Sequence, residues 1–270
     1  MLQGKPPEAK ADRSTSRFSR LFIEPLYRVL FGPPLVDGLA AEPGRKSLVL
    51  VVGGVGGFDL CGTGLRYVLG RVGMPYAIHV FPWGHGLGRW LADLTDVPHR
   101  DRQAELLAQI VVRFKERNPT EPVYLIAKSA GSAVAVGALE KLGENAVERV
   151  VLLAPALSPT YDLTAALRAV AQEMVVFWSP WDVFILGVGT RVFGTADRVR
   201  TVGAGLVGFR IPAVGSVPER ASQYAKLSQV RWRARMAASG YLGGHFGPDS
   251  PVFLRKYVVP LLRSGPGSQS

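Results

Sequence analysis

The chain has one cysteine, Cys61, among its 270 residues, so an intramolecular disulfide bond is excluded. An unpaired thiol fits a reducing compartment, although many secreted bacterial enzymes also lack disulfides. The sequence also lacks the Cys/His spacing of zinc sites, a glycine-rich phosphate loop and internal repeats. We therefore expect neither a metal nor a cofactor, and we do not expect a repeat architecture.

Long hydrophobic runs are absent from the N-terminal region. The first apolar run begins only at Leu21 and is interrupted by Glu24, Pro25 and Arg28, whereas a membrane-spanning helix needs about 20 mostly apolar residues. The run also lacks the form of a signal peptide. We therefore expect a cytoplasmic protein. The amphipathic stretch 18–41 leaves a peripheral membrane contact open, but its prolines favour packing against the domain.

Acidic residues are few, with 21 Asp and Glu against 32 Lys and Arg, which gives a net charge of +11. The basic residues are scattered rather than arranged in a stripe, which argues against nucleic-acid binding. Either the surface is simply rich in arginine, or it is attracted to anionic membranes or acidic substrates. A hydrophobic content of 47% with 20% charged residues is typical of a globular protein.

Composition divides the chain into four parts. Residues 1–17 are polar and read as a disordered basic tail, and 18–45 form the amphipathic segment. Residues 46–263 form the main domain, within which 183–225 are a glycine-rich excursion of loops and short helices. Residues 264–270 are a loose tail.

Apolar strands alternate with helical patterns through the main domain. The predicted strands are Ser47–Val52, Tyr76–Phe81, the run from Val123, Arg149–Ala154, Met174–Trp178 and Gln229–Arg235. Helices are predicted after Pro98, through Leu142, over Leu163–Gln172 and over Pro251–Leu262. This pattern predicts an α/β fold with a mostly parallel central sheet and helices on both faces. Ala154 and Leu163 are too close in sequence for a large cap domain to fit between them.

The most informative stretch is Ala127-Lys-Ser129-Ala-Gly131, where an apolar strand ends and a small-residue helix begins. Small residues flank such a turn because it is strained and larger side chains would clash at its base. A serine at the apex projects its hydroxyl from the end of the sheet, where functional groups of parallel sheets gather. The alternative is a serine that only caps a helix.

Two further polar residues follow other strands. Asp182 comes shortly after Trp178, and His245 lies in the glycine-rich stretch after the last strand. The chain order Ser, Asp, His is that of the α/β-hydrolase triad. Asp197 is a rival for the acid, and the rivals for the histidine are His79, His85 and His99.

These motifs resemble the α/β-hydrolase superfamily over roughly residues 46–262, and compact, lid-poor bacterial lipases and esterases most of all. The turn departs from G-x-S-x-G because Ala127 takes the first glycine position, and Lys128 is an unusual residue beside the serine. The segment 52–57 resembles a His-Gly-x-Gly-Gly oxyanion loop in which Gly53 replaces the histidine.

The resemblance implies a role for each residue. Ser129 is the expected nucleophile, His245 the base and Asp182 the group that orients the histidine. The backbone N–H groups of Val55 and Ala130 are expected to form the oxyanion hole. Pocket candidates are Gly54, Gly56, His85, Lys128 and Phe184.

Two expectations concern side chains near the pocket. Lys128 is most simply an exposed residue of the turn. The apolar side chains of the glycine-rich excursion, such as Phe184 and Phe193, are either core or an acyl-binding wall.

The sequence therefore predicts a serine hydrolase that cleaves a carboxylic ester, with a small ester or lipid-derived substrate, through an acyl-enzyme. Two alternatives stay open. One is an acyltransferase or thioesterase on the same scaffold. The other is a non-catalytic homologue that binds a membrane surface or a protein.

Overall fold

The structure is a computed structural model, and it describes residues 47–57, 60–74, 76–86, 88–212 and 218–263. The predicted tails 1–17 and 264–270 and the amphipathic segment 18–45 lie outside the described residues. Within the described ranges, no helix is both long and apolar enough to cross a membrane.

Six strands form one sheet in the order β2-β1-β3-β4-β5-β6, and every neighbouring pair is parallel. The strands are β1 (Ser47–Val52), β2 (Tyr76–Phe81), β3 (Val123–Lys128), β4 (Val147–Leu153), β5 (Val170–Trp178) and β6 (Leu227–Arg231). The predicted parallel sheet is confirmed.

The helices connect the strands and cover the sheet. They are α1 (Leu60–Arg71), α2 (Trp90–Thr95), α3 (Val97–Arg117), α4 (Gly131–Leu139), α5 (Thr164–Arg168), α6 (Thr190–Phe193), α7 (Ala204–Val207) and α8 (Pro218–Tyr224). A C-terminal helix follows in three consecutive pieces, Pro251–Phe253, the π-helical turn Leu254–Val258 and Val259–Arg263. Shorter turns are the 3₁₀ helices Val55–Gly57, Ala234–Ser239 and Gly247–Asp249 and the π-helical turn Phe184–Gly189.

Each face of the sheet is buried against helices, which explains why the strands are apolar on both sides. In β1, Leu48 and Leu50 belong to a core shared with α3 and α4. Val49 and Val51 belong to a second core, shared with α1 and the C-terminal helix. This is the layered architecture of an α/β-hydrolase fold.

The predicted helix Leu163–Gln172 is wrong in its second half. Helix α5 ends at Arg168, and β5 already begins at Val170, which pairs with Val147 of β4. An alanine- and leucine-rich sequence favours a helix locally, but strand pairing overrides that preference here. The last strand likewise ends at Arg231, before the predicted Arg235.

The glycine-rich excursion is fastened to the carboxyl edge of the sheet by backbone hydrogen bonds. The N–H of Gly205 donates to the carbonyl of Pro155 at 2.8 Å, and the Ser179 N–H donates to the carbonyl of Gly205 at 2.8 Å. A Cβ on Gly205 would lie 2.4 Å from Leu186 Cδ1. The excursion therefore packs beside the strand ends. The short connection from Ala154 to Leu163 holds no cap domain, as predicted.

The turn between β3 and α4 is packed directly against the end of β1. A Cβ on Gly131 would lie 2.1 Å from the carbonyl oxygen of Gly53 and 2.8 Å from that of Val52. Only a residue without a side chain fits there unless the two elements separate.

We expect Gly131→Ala to destabilise the protein by about 1–3 kcal/mol, because the added methyl group forces α4 away from β1. Urea denaturation of the two proteins measures this difference. Gly143→Ala is the matched control, because a Cβ there meets no atom within 4 Å. Equal stability of the two variants would contradict the close contact at Gly131.

Candidate active site

Ser129 lies at the apex of the turn between β3 and α4, with a backbone φ of 53°. A non-glycine residue rarely adopts this left-handed conformation, and where it occurs it often marks a functional site. Two hydrogen bonds hold it: the Ser129 N–H donates to the Leu153 carbonyl at 3.0 Å, and the Ser129 carbonyl accepts from the Ala156 N–H at 3.1 Å. The neighbouring strand β4 thus fixes the turn on which the serine is presented.

Asp182 lies just beyond the end of β5, in a tight turn. Its N–H donates to the Ser179 carbonyl at 3.2 Å. The ring of Tyr241 lies nearby, and burial together with the charge of Asp182 raises the pKa of Tyr241. The carboxylate is only 3% exposed, so its charge acts at short range in a weakly polar environment.

His245 lies in the loop after β6. Gly243, with a φ of 96°, lets this loop run against Trp181, because a Cβ there would lie 3.0 Å from Trp181 Cβ. The loop that carries the histidine is therefore packed against the residue directly before Asp182.

The three side chains form one hydrogen-bonded line. His245 Nδ1 lies 2.6 Å from Asp182 Oδ2, and His245 Nε2 lies 2.9 Å from Ser129 Oγ. Ser129 is 7% exposed and His245 is 8% exposed. This arrangement offers a hydroxyl whose proton an imidazole can accept, and a carboxylate that fixes the orientation of the imidazole.

The rival residues lie elsewhere. Asp197 accepts hydrogen bonds from the N–H (2.8 Å) and the hydroxyl of Ser158. His79 is inside β2, where burial, and secondarily the charge of Arg66, lowers the pKa of its imidazole to about 4. His99 lies in the first turn of α3, and its Nε2 lies 2.6 Å from the Trp83 carbonyl oxygen.

The loop after β1 faces the serine. A Cβ on Gly54 would lie 3.4 Å from Ser129 Cβ, so the backbone of this loop passes close to the hydroxyl. Within the described residues, no other group accepts a hydrogen bond from the N–H of Val55 or of Ala130. Both remain available as donors to an oxygen atom bound near the serine.

Gly56 and His85 belong to the support of this loop. The Gly56 N–H, at a residue with a φ of 80°, donates to Asp93 Oδ2 at 2.7 Å. Asp93 Oδ1 accepts from the His85 N–H at 2.7 Å and lies 2.9 Å from His85 Nδ1. The centres of the His85 and His99 rings lie 4.0 Å apart, with the two rings tilted by 34°. This cluster connects the loop after β1 with the start of α2 and α3.

The prediction that Lys128 is exposed is wrong. Its side chain is buried, 6% exposed, and its ammonium group forms an ion pair with Asp249. It also lies 5.0 Å from the centre of the Phe246 ring. Burial raises the pKa of Asp249, and the charge of Lys128 opposes that shift. Lys128 therefore links the serine turn to the loop that carries His245.

Exposed apolar side chains lie in the connections that carry Asp182 and His245, and the Phe246 ring packs edge-on against His245 at 5.7 Å. Phe184 is 86% exposed, so of the two alternatives for its side chain the core is excluded, whereas Leu186 nearby is fully buried. Eight of the exposed apolar residues lie in the connections that follow β2, β5 and β6, which include α2, the π-helical turn and α6. We call them the apolar rim: Trp90, Leu91, Trp181, Phe184, Val188, Phe193, Leu242 and Phe246.

Sequence reasoning missed Asp93 and Asp249, which support the site from behind. Neither lies in a motif, and each acts on a residue far away in the chain. Among the described residues, no group of His, Cys, Asp and Glu side chains is arranged to hold a metal ion.

A family model described as serine aminopeptidase, S33, matches residues 80–204, which is just under half of the chain. No curated protein matches the sequence. Among solved structures, one described as a predicted CIB-like hydrolase from Thermoplasma acidophilum matches with a TM-score of 0.43 at 13% identity. That match covers 83% of this chain and 89% of the other, and at this level it carries no argument about substrate.

The fold and the family match agree with each other. The parallel sheet carries a serine in a left-handed strand-to-helix turn. The family model spans the segment that contains this turn. The chain is a member of the α/β-hydrolase superfamily.

Proposed function

We propose that the protein is a serine hydrolase that cleaves carboxylic esters through an acyl-enzyme. The observation that carries the proposal is the hydrogen-bonded line from Ser129 Oγ through His245 to Asp182. A hydroxyl is a weak nucleophile without an adjacent base, and here the base lies within hydrogen-bond distance and is itself oriented by an anion.

The reaction follows from these positions. Ser129 Oγ attacks the carbonyl carbon while its proton passes to His245 Nε2, and the Asp182 carboxylate stabilises the imidazolium. The oxygen of the tetrahedral intermediate takes hydrogen bonds from the N–H groups of Val55 and Ala130, each contributing on the order of 3 kcal/mol. His245 then protonates the leaving alcohol, and a water molecule attacks the acyl-enzyme by the same route.

An acyl group with an apolar chain suits the surroundings of the serine. The apolar rim supplies exposed side chains from the loops after β2, β5 and β6. Carboxylates in these loops are buried or already engaged, as Asp93, Asp182 and Asp249 illustrate. An uncharged ester or a lipid-derived substrate fits this environment better than a cationic one.

The family match supports a second candidate, a peptidase that removes N-terminal residues. Such an enzyme has to bind the α-ammonium group of its substrate, and a free carboxylate near the serine is the natural partner. In the described part of the chain, Asp182 and Asp249 lie beside the triad and the serine turn, and both are engaged, by His245 and by Lys128. This favours the ester over the peptide.

An acyltransferase would use the same acyl-enzyme and differ only in the group that accepts the acyl chain. Product analysis in the presence of competing alcohols and thiols separates the two reactions. We expect the free acid as the main product. Acyl transfer that outruns hydrolysis at low alcohol concentration would contradict the hydrolase assignment.

We expect Ser129→Ala to lower kcat on p-nitrophenyl esters by roughly 10⁴- to 10⁶-fold, because the nucleophile is lost. An ester series from acetate to palmitate measures the activity and its chain-length optimum. A fluorophosphonate probe should label the unchanged protein at Ser129 and leave the variant unlabelled. Activity retained in a folded variant would contradict the role of Ser129.

The two aspartates provide a matched pair. We expect Asp182→Asn to lower kcat by roughly 10³- to 10⁴-fold, because an amide no longer stabilises the imidazolium or fixes its tautomer. Asp197→Asn should keep kcat, since this side chain contacts Ser158 and lies outside the hydrogen-bonded line. Equal losses in the two variants would show that Asp182 acts only through stability.

Substrate preference separates the ester from the peptide. We expect p-nitrophenyl butyrate to be hydrolysed with a higher kcat/KM than alanine p-nitroanilide, because the described rim holds no free carboxylate for an ammonium group. Chymotrypsin, assayed on its own ester and anilide substrates, calibrates how far the two leaving groups differ in intrinsic reactivity. A preference for the anilide would replace the ester proposal by the peptidase.

A further inference from the structure

The apolar rim is built from the chain connections that follow β2, β5 and β6. The ring of Trp90, at the start of α2, packs edge-on against Phe193 at 5.6 Å. Trp181, in the loop after β5, packs against Gly243 in the loop that follows β6. The three connections therefore touch one another at the carboxyl edge of the sheet, the edge that carries Ser129.

Several large apolar side chains of the apolar rim are strongly exposed to solvent. Phe184 is 86% exposed, Leu242 is 76% exposed and Trp181 is 64% exposed. Exposed apolar residues are ordinary when they are scattered, but a contiguous patch around a site indicates an interaction surface.

The same connections expose several arginines. Arginines 89, 191, 198, 200 and 210 are exposed, and none of them forms an ion pair with a carboxylate of the described residues. Arg89 directly precedes Trp90 and Arg191 lies just before Phe193 in the sequence, so positive charge flanks the contact between these two rings. We call these five residues the arginine collar.

Apart from α3 and the turn that follows it, the described carboxylates of these connections are buried or hydrogen-bonded within the protein. Asp93, Asp182 and Asp249 are buried, and Asp197 accepts two hydrogen bonds from Ser158. Asp96, the most exposed of them, accepts the His99 N–H at 2.9 Å and lies near His85. Among these described residues, exposed positive charge therefore exceeds exposed negative charge, which comes mainly from Asp96, 40% exposed.

We propose that the apolar rim and the arginine collar dock the protein onto a bilayer surface that contains anionic phospholipid, with the mouth of the site facing the lipid. Apolar side chains insert between the acyl chains, while arginines contact the phosphate groups above them. An acidic protein would satisfy the collar, but it would not take up eight apolar residues spread over three loops. The proposal goes beyond the ester hydrolase and does not depend on it, since the surface remains when the triad is inactive.

The test uses the Ser129→Ala protein, so that binding is measured without turnover. Sucrose-loaded vesicles of phosphatidylcholine, or of an equimolar mixture of phosphatidylcholine and phosphatidylglycerol, are sedimented with the full chain. We expect binding to the mixed vesicles to be at least tenfold tighter than to phosphatidylcholine alone. It should weaken as salt rises, because the Debye length falls from about 10 Å at 0.1 M to about 3 Å at 1 M.

Two matched pairs assign the binding to this surface. Adding Phe184→Ser should lower the partition coefficient about tenfold or more, because a phenyl ring no longer inserts. Arg191→Gln should lower it by roughly fivefold. Val112→Ser and Arg113→Gln are the controls, since both residues are exposed on α3, outside the three loops, and should leave it unchanged.

Three results would overturn the proposal: no vesicle binding, equal binding to both vesicle types, or equal losses in the rim variants and their controls. Hydrolysis of the water-soluble p-nitrophenyl acetate by the unchanged protein is measured separately. Failure of docking and failure of the ester hydrolase are thereby distinguished.

Discussion

The left-handed backbone of Ser129 is the constraint on which the rest of the site depends. A φ of 53° at a serine is unfavourable by itself and costs about 1–3 kcal/mol. The surrounding structure offsets this cost: β4 binds the serine backbone on both sides, and Gly131 lets the end of β1 approach the turn. The strained turn that presents the hydroxyl therefore depends on contacts among the ends of three strands, β1, β3 and β4.

Buried charges then fix the loops around this turn. Lys128 is next to the serine in sequence, and its ion pair with Asp249 joins β3 to the loop that carries His245. Asp93 holds the Gly56 N–H and so joins α2 to the loop after β1. Removing Lys128 or Asp249 alone is costly, because the charge of the other residue is left buried without compensation. These pairs are therefore better understood as positioning elements than as sources of stability.

The sequence indicated the sheet and the three residues of the hydrogen-bonded line because both leave local signals. Buried parallel strands are continuous apolar runs, and the serine turn needs small residues at fixed spacing. Lys128 and Asp249 left no such signal. A lysine after an apolar run is ordinarily exposed, and only the fold shows a carboxylate 121 residues later in the chain that compensates it. The end of α5 was missed for a related reason, since pairing of Val170 with Val147 outweighs the helical preference of its neighbours.

The distribution of charge explains why net charge alone could not locate a binding surface. A chain with a charge of +11 could carry its excess anywhere, and the sequence shows basic residues throughout. The fold creates an asymmetry by turning the carboxylates of the mouth inward, where they hold Gly56, His245 and Lys128. Arginines in the same loops are left facing outward beside exposed aromatic rings. The same folding of these loops therefore buries the carboxylates that organise the site and leaves the arginines exposed. A positively charged, apolar mouth results because the negative charges of these loops are used inside.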